Sequence, residues 1–133
     1  MSEPITVIPM VPISWGEVID KITILEIKDA RLPGEEARAN ASKELELLRE
    51  IAGPAMDHGE LFALAAKLKL LNETLWDIED RIRDHERTQI FDSTFIALAR
   101  SVYRQNDERG RVKRQINQAL GSGLVEEKSY RPY

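Results

Sequence analysis

The sequence predicts an all-α protein, a bundle of about four helices built on one long antiparallel helix hairpin, with an extended N-terminal arm and C-terminal tail. Three observations carry that reading. Apolar residues recur at spacings of three and four through four segments. Ser-x-x-Glu, Pro-Gly and Gly-Pro signals punctuate those segments where helices begin and end. The 133 residues are 42% hydrophobic and 32% charged, the balance of a soluble, helix-rich chain rather than a disordered one. That length suits a single domain over residues 1–133, whose core withdraws roughly two thirds of the unfolded surface from water.

Residues 4–13, PITVIPMVPI, are β-branched and broken by Pro9 and Pro12. Proline fixes φ and holds its predecessor extended, so residues 1–13 read as an extended arm or edge strand. Ser14 and Glu17 then form a capping box, and a first helix spans 14–31 before Leu32-Pro33-Gly34 ends it. A second helix spans 35–52 on the narrow stripe Ala37, Ala41, Leu45, Leu48 and Ala52, and Gly53-Pro54 stops it.

The third segment has the clearest period: Leu61, Leu64, Leu68, Leu71, Leu75, Ile78 and Ile82. With Asp57 as cap, a helix over 59–87 is ~43 Å long at ~1.5 Å per residue, with a seam fit for one long partner. That partner is the fourth helix, 93–120, capped by Asp92 or Ser93 and carrying Phe95, Leu98, Val102, Val112, Ile116 and Ala119 in the same register. Gly110 costs ~1 kcal/mol relative to alanine inside a helix, which makes Asn106–Gly110 the place for a break. The apolar period resumes in phase beyond it, so one continuous helix is expected. Gly121-Ser122-Gly123 closes the helix, and 121–133 form an extended, aromatic-tipped tail.

Composition removes several function classes. The absence of cysteine excludes disulfides, thiolate catalysis and zinc–thiolate sites, and two histidines leave no His-rich metal centre. No apolar run reaches the ~18 residues of a membrane span. The start lacks the basic n-region of a secretory signal, so a cytoplasmic location is expected. A net charge of −4 disfavours generic nucleic-acid binding. No serine or threonine stands in a nucleophile elbow, and no Gly-rich loop leads into a helix as a phosphate cradle does. No catalytic residue, metal or cofactor is therefore predicted.

The first helix is unusual. Trp15, Val18, Ile19, Ile22 and Leu25 form an apolar arc, Glu26 falls inside it, and Ile24 and Ile27 project from the opposite side. A carboxylate buried alone costs several kcal/mol, so Glu26 needs a partner. The polar seam positions Gln105 and Arg109, with Asn106 beside them, supply one. Glu26, Gln105, Asn106 and Arg109 thus form either a polar pocket for a small charged ligand or a buried ion pair that sets helix register. Trp15, Ile24, Ile27, Phe62 and Trp76 exceed what one hairpin can cover, which makes them a candidate interaction surface. His85 lies at a seam position as a packed or capping residue.

Carboxylate pairs three apart, Glu17/Asp20, Glu26/Asp29 and Asp77/Asp80, could in principle hold Mg²⁺ as in all-α nucleotide pyrophosphohydrolases. Twenty-three acidic residues on helices produce such pairs by chance, and Glu17 is already used in the capping box. Residues 100–114 concentrate Arg100, Arg104, Arg109, Arg111, Lys113 and Arg114, a stretch that reads as a salt-bridged helical face or a phosphate-tracking one.

The strings SWGEVIDKITILEIK, LWDIEDRIRDHE, FDSTFIALARSVYRQND and GSGLVEEKSY, spanning Ser14 to Tyr130, are similar to an uncharacterised family of short bacterial proteins known only as a domain of unknown function. The resemblance implies a bacterial origin and a mostly helical fold, and carries no activity onto any residue. The functional expectation is a non-catalytic helical protein that self-associates, as a homodimer, and offers its arm and tail to a further protein partner. The alternatives are a small-ligand or Mg²⁺-dependent enzyme acting on nucleotide phosphates, and a nucleic-acid accessory protein using residues 100–114.

Overall fold

The computed structural model describes residues 3–133; Met1 and Ser2 of the expected arm lie outside the described residues. Four helices form: α1, Trp15–Arg31; α2, Glu35–Ala52; α3, Leu61–Thr88; and α4, Ser93–Leu120, with a 3-10 turn at Gly53–Ala55. They pack as a bundle, and α3 against α4 is the most extensive pairing.

Local chemistry explains the ends. The Glu17 N–H donates to Ser14 Oγ at 3.3 Å, and the Phe95 N–H donates to Asp92 Oδ1 at 3.0 Å, so both expected caps form. Asp57 does not cap α3. That helix starts at Leu61 rather than at 59, with Glu60 at the cap position and no side-chain hydrogen bond there. The Leu61 N–H instead donates to the His58 carbonyl at 3.1 Å. α4 runs unbroken through Gly110. At its end Gly121 takes the left-handed conformation, φ 61°, and the Ser122 N–H returns to the Asn117 carbonyl at 2.8 Å.

α1 is the centre of the bundle, since it packs on α2, α3 and α4. On one side Leu25 joins Ala41 and Leu45 of α2, with Ile22, Leu32 and Leu48 around them. On the other, Val18 and Ile19 join Ala52, Leu61, Leu68, Val112 and Ile116. Burying such side chains contributes roughly 1.5–3 kcal/mol each. The second apolar face read on α1 is thus explained within one chain: Ile27 is buried, not projecting outward. α2 reaches the hairpin through Ala52 at its end. Beyond that point a groove of about 420 Å³ opens between α2 and α3.

The two chain ends differ. The tail leaves Gly121 and doubles back along α4. Lys113 Nζ meets Glu126 at 2.9 Å, Arg114 meets Glu127 at 3.4 Å, and the Tyr133 hydroxyl donates to Asp107 at 2.7 Å. Tyr133 also lies edge-on to Tyr103, with ring centroids 4.8 Å apart. Lys128 crosses α4 over Gly110, its Cδ and Cε 3.8 Å from where a Cβ would stand. Among the described residues the extended arm shows no such hydrogen bond or ion pair, and Ile5, Val7, Ile8, Met10 and Val11 are all exposed, Met10 to 93%.

Candidate functional site

The inward carboxylate expected on α1 exists, but it is Asp20. Its side chain is 1% exposed and takes a two-pronged contact from Arg109: Nε to Oδ1 at 2.9 Å and Nη2 to Oδ2. Asn72 Nδ2 donates to Asp20 Oδ1 and to Thr23 Oγ1, each at 2.9 Å. The Thr23 hydroxyl in turn donates to the Asp20 carbonyl at 2.8 Å. Lys113 Nζ stands 3.9 Å from Asp20 and bridges Glu17 at 2.8 Å and Glu126 of the tail at 2.9 Å. Glu17 is therefore turned toward α4, in place of the capping-box role read from its spacing.

The first turn of α1 is knitted into the same region. The Trp15 N–H donates to Ser122 Oγ at 3.2 Å, and the Gly16 N–H to Asn117 Oδ1 at 2.6 Å. Gly16 is needed there, because a Cβ would lie 2.5 Å from the Lys113 carbonyl oxygen. Two side chains more than 100 residues away in sequence thus satisfy N–H groups that a helix start leaves open. No buried side-chain nitrogen or oxygen among the described residues lacks a partner.

The charges reinforce one another. The hydrogen bonds that Arg109 donates to Asp20 hold its guanidinium more firmly protonated, against the opposing effect of burial. Burial works hardest against the Lys113 ammonium, yet the bonds to Glu17 and Glu126 outweigh it and raise its pKa. Lys113 reciprocally lowers the Glu126 carboxyl.

Glu26 and Arg109 are not paired. Glu26, its side chain 28% exposed, contacts Arg49 of α2 at 3.1 Å and Lys69 of α3 at 3.9 Å, on the rim of the α2/α3 groove. The reason is rotational. At about 100° per residue, Asp20 lies about 120° around α1 from Glu26. Because α2 and the hairpin flank α1 on different sides, the middle of the apolar arc faces the gap between them. The sequence did hold a signal for Asp20: Gly16, Asp20, Thr23 and Ile27 follow one another at four, three and four, and all are buried. Asn72, four after Leu68 and three before Leu75, sits on the α3 seam in the same way and is buried.

Beside this network a cleft of about 550 Å³ opens among α1, α3 and α4. Ile24, Trp76 and Val102 wall it, Asn72, Asn106 and Arg109 furnish polar groups, and Glu79, Asp80 and Arg83 also line it. Arg109 Nη1 donates to Asn106 Oδ1 at 3.4 Å. Asn106 and Arg109 of the expected polar set therefore meet Ile24, Ile27 and Trp76 of the expected interaction surface in one cleft. Gln105 is half-buried and lies outside the cleft lining. The other two surface candidates separate from it: Phe62, 80% exposed, lines the α2/α3 groove, and Trp15 packs against the core. His85 Nδ1 donates to the Ile90 carbonyl at 2.8 Å, and the ring packs beside Phe95, which fastens the α3–α4 turn.

Among the described residues no three His, Asp or Glu side chains converge so as to hold a metal ion. The basic stretch is largely occupied. Arg109, Arg111, Lys113 and Arg114 each contact a carboxylate, at Asp20, Glu108, Glu17 or Glu126, and Glu127 respectively. Among the described residues no helix is long and apolar enough to cross a membrane.

Residues 10–132 match the family model described as a family of unknown function, DUF6165. No curated protein and no solved structure matches the chain. The chain belongs to the DUF6165 family.

Proposed function

We propose that the chain is a non-catalytic interaction protein of the cytoplasm that acts as a homodimer, with the arm of one copy seated on the α2/α3 groove of the other. The observation that carries this reading is apolar surface with no cover. Ile5, Val7, Ile8, Met10 and Val11 stand in solvent, and the groove presents Ile22, Met56, Phe62, Ala65 and Ala66. Contiguous exposed apolar surface on this scale marks interaction sites, since each such side chain taken from water gains roughly 1.5–3 kcal/mol. An extended arm suits a groove between helices, because its prolines reduce the entropy lost on docking.

Light scattering over a range of concentrations tests the reading. The expected mass is twice that of one chain, falling to one chain when residues 1–12 are removed. A strict monomer of the full chain at working concentration overturns it.

A further inference from the structure

The cleft beside the polar network is shaped for a ligand by its unused hydrogen-bonding groups. Asn72 is 6% exposed and has one orientation open to it. The Asp20 carboxylate can only accept, and the Thr23 hydroxyl proton already goes to the Asp20 carbonyl. The Asn72 NH₂ must therefore face both, as observed. That leaves Asn72 Oδ1 with no protein donor among the described residues; since no buried side-chain oxygen there goes unpartnered, this one is open to solvent on a side chain that lines the cleft. Arg109 and the Asn106 amide supply donors in the same cleft. Trp76, Ile24 and Val102 bring apolar walls to it. A ligand matched to this set brings a donor for Asn72 and an acceptor for Arg109 or Asn106, on a body that can lie against the apolar walls.

Charge narrows the class. Asp20 neutralises Arg109, and Glu79 contacts Arg83 at 3.8 Å. Asp80 has no cation within ion-pair distance among the described residues, so the lining, neutral by itself, keeps one negative charge once Asp20 behind it is counted against Arg109. A phosphate brought against it would be repelled. The volume of about 550 Å³ lies within the range of small-molecule sites. We infer that the cleft binds a nucleobase or nucleoside without its phosphate. This site is on a different side of α1 from the arm groove and does not depend on dimerisation.

Calorimetry and saturation-transfer NMR on the full chain test it, with adenosine, guanosine, cytidine and uridine beside their 5′-monophosphates. Saturable binding of at least one nucleoside is expected, with its monophosphate at least about tenfold weaker at low salt. Asp80→Asn should narrow that gap. Val102→Trp, which fills the cleft, and Trp76→Ala, which removes a wall, should each abolish binding while circular dichroism stays helical. The indole N–H resonance of Trp76 should shift on titration. No saturable binding of any nucleoside at millimolar concentration overturns the inference, as does binding that survives both cleft variants. A monophosphate bound as tightly as its nucleoside overturns the assignment to the unphosphorylated form.

Discussion

Asp20 and Glu26 lie under two turns apart on α1, and each meets an arginine, but the two ion pairs do different work. Asp20 is sealed between α1 and the α3/α4 hairpin, where Arg109, Asn72 and Lys113 surround its carboxylate. Glu26 sits at the open gap between α2 and α3, where water screens its contacts with Arg49 and Lys69. A pair that is desolvated and fully hydrogen-bonded fixes which helix faces meet, because every alternative packing strands a charge. A pair on the rim adds little, whatever its distance. The comparison teaches that a carboxylate's importance here follows from which neighbour covers it, and that the α1–hairpin interface is the specified one.

The largest effect should come from Asp20→Ala. Removing one partner of a buried pair costs roughly 3–5 kcal/mol. Arg109 borders the cleft and can turn toward water, which places the expected loss near ~3 kcal/mol by urea denaturation. Combining it with Arg109→Leu should be less harmful than the two single losses added together, because the second change removes the stranded charge. Additive losses would show that the pair does not act as a unit.

Gly16→Ala should come next. The added methyl meets the backbone oxygen of Lys113 rather than a flexible side chain, so α1 must move from α4. Overpacking of this kind costs about 1–3 kcal/mol. A stability equal to wild type would mean that α1 and α4 approach less closely than described. Glu26→Ala, by contrast, should cost less than ~1 kcal/mol, as exposed pairs do. A loss of several kcal/mol there would invert the comparison.

The smallest effect lies at the tail and depends on pH. Lys113 depresses the Glu126 carboxyl, so this contact stabilises the docked tail above the ordinary carboxylate pKa and is lost as pH falls through the lowered one. Lys113 itself is raised, so its contribution is complete below the ordinary lysine pKa and is lost as pH rises through the raised one. NMR resonances of Gly110 and Tyr133 should therefore report a docked tail across neutral pH and its release in acid. Unchanged resonances down to pH 2 would remove the ionic account of docking.

Much of the fold was legible because it depends on local rules. The stripes of α3 and α4, the caps at Ser14 and Asp92, and the stops at Pro33-Gly34 and Gly121 each involve residues within a turn or two of one another. The continuity of α4 past Gly110 followed from phase alone. The site was legible only in part. Arg109 was read as the buried cation, but its partner was misplaced, since a helical wheel gives angles within α1 and not where α2 and the hairpin lie around it. The C-terminal tail was read as extended, and its return along α4 through Glu126, Glu127 and Tyr133 could not be seen.

Sequence by itself determined that the described residues form four helices, with capped starts at Ser14 and Asp92, and that an inward carboxylate on the first is set against the polar positions Gln105 and Arg109 of the fourth. Those outcomes are set by hydrogen bonds and side-chain spacing over a few residues. Only the tertiary structure decided that the carboxylate is Asp20, that Asn72 turns its amide to it, and that the cleft and the groove open on different sides of α1. Such contacts join groups 49 to 89 residues apart. They exist only once the helices have been rotated and seated against one another, a choice made by burying both faces of α1 at once.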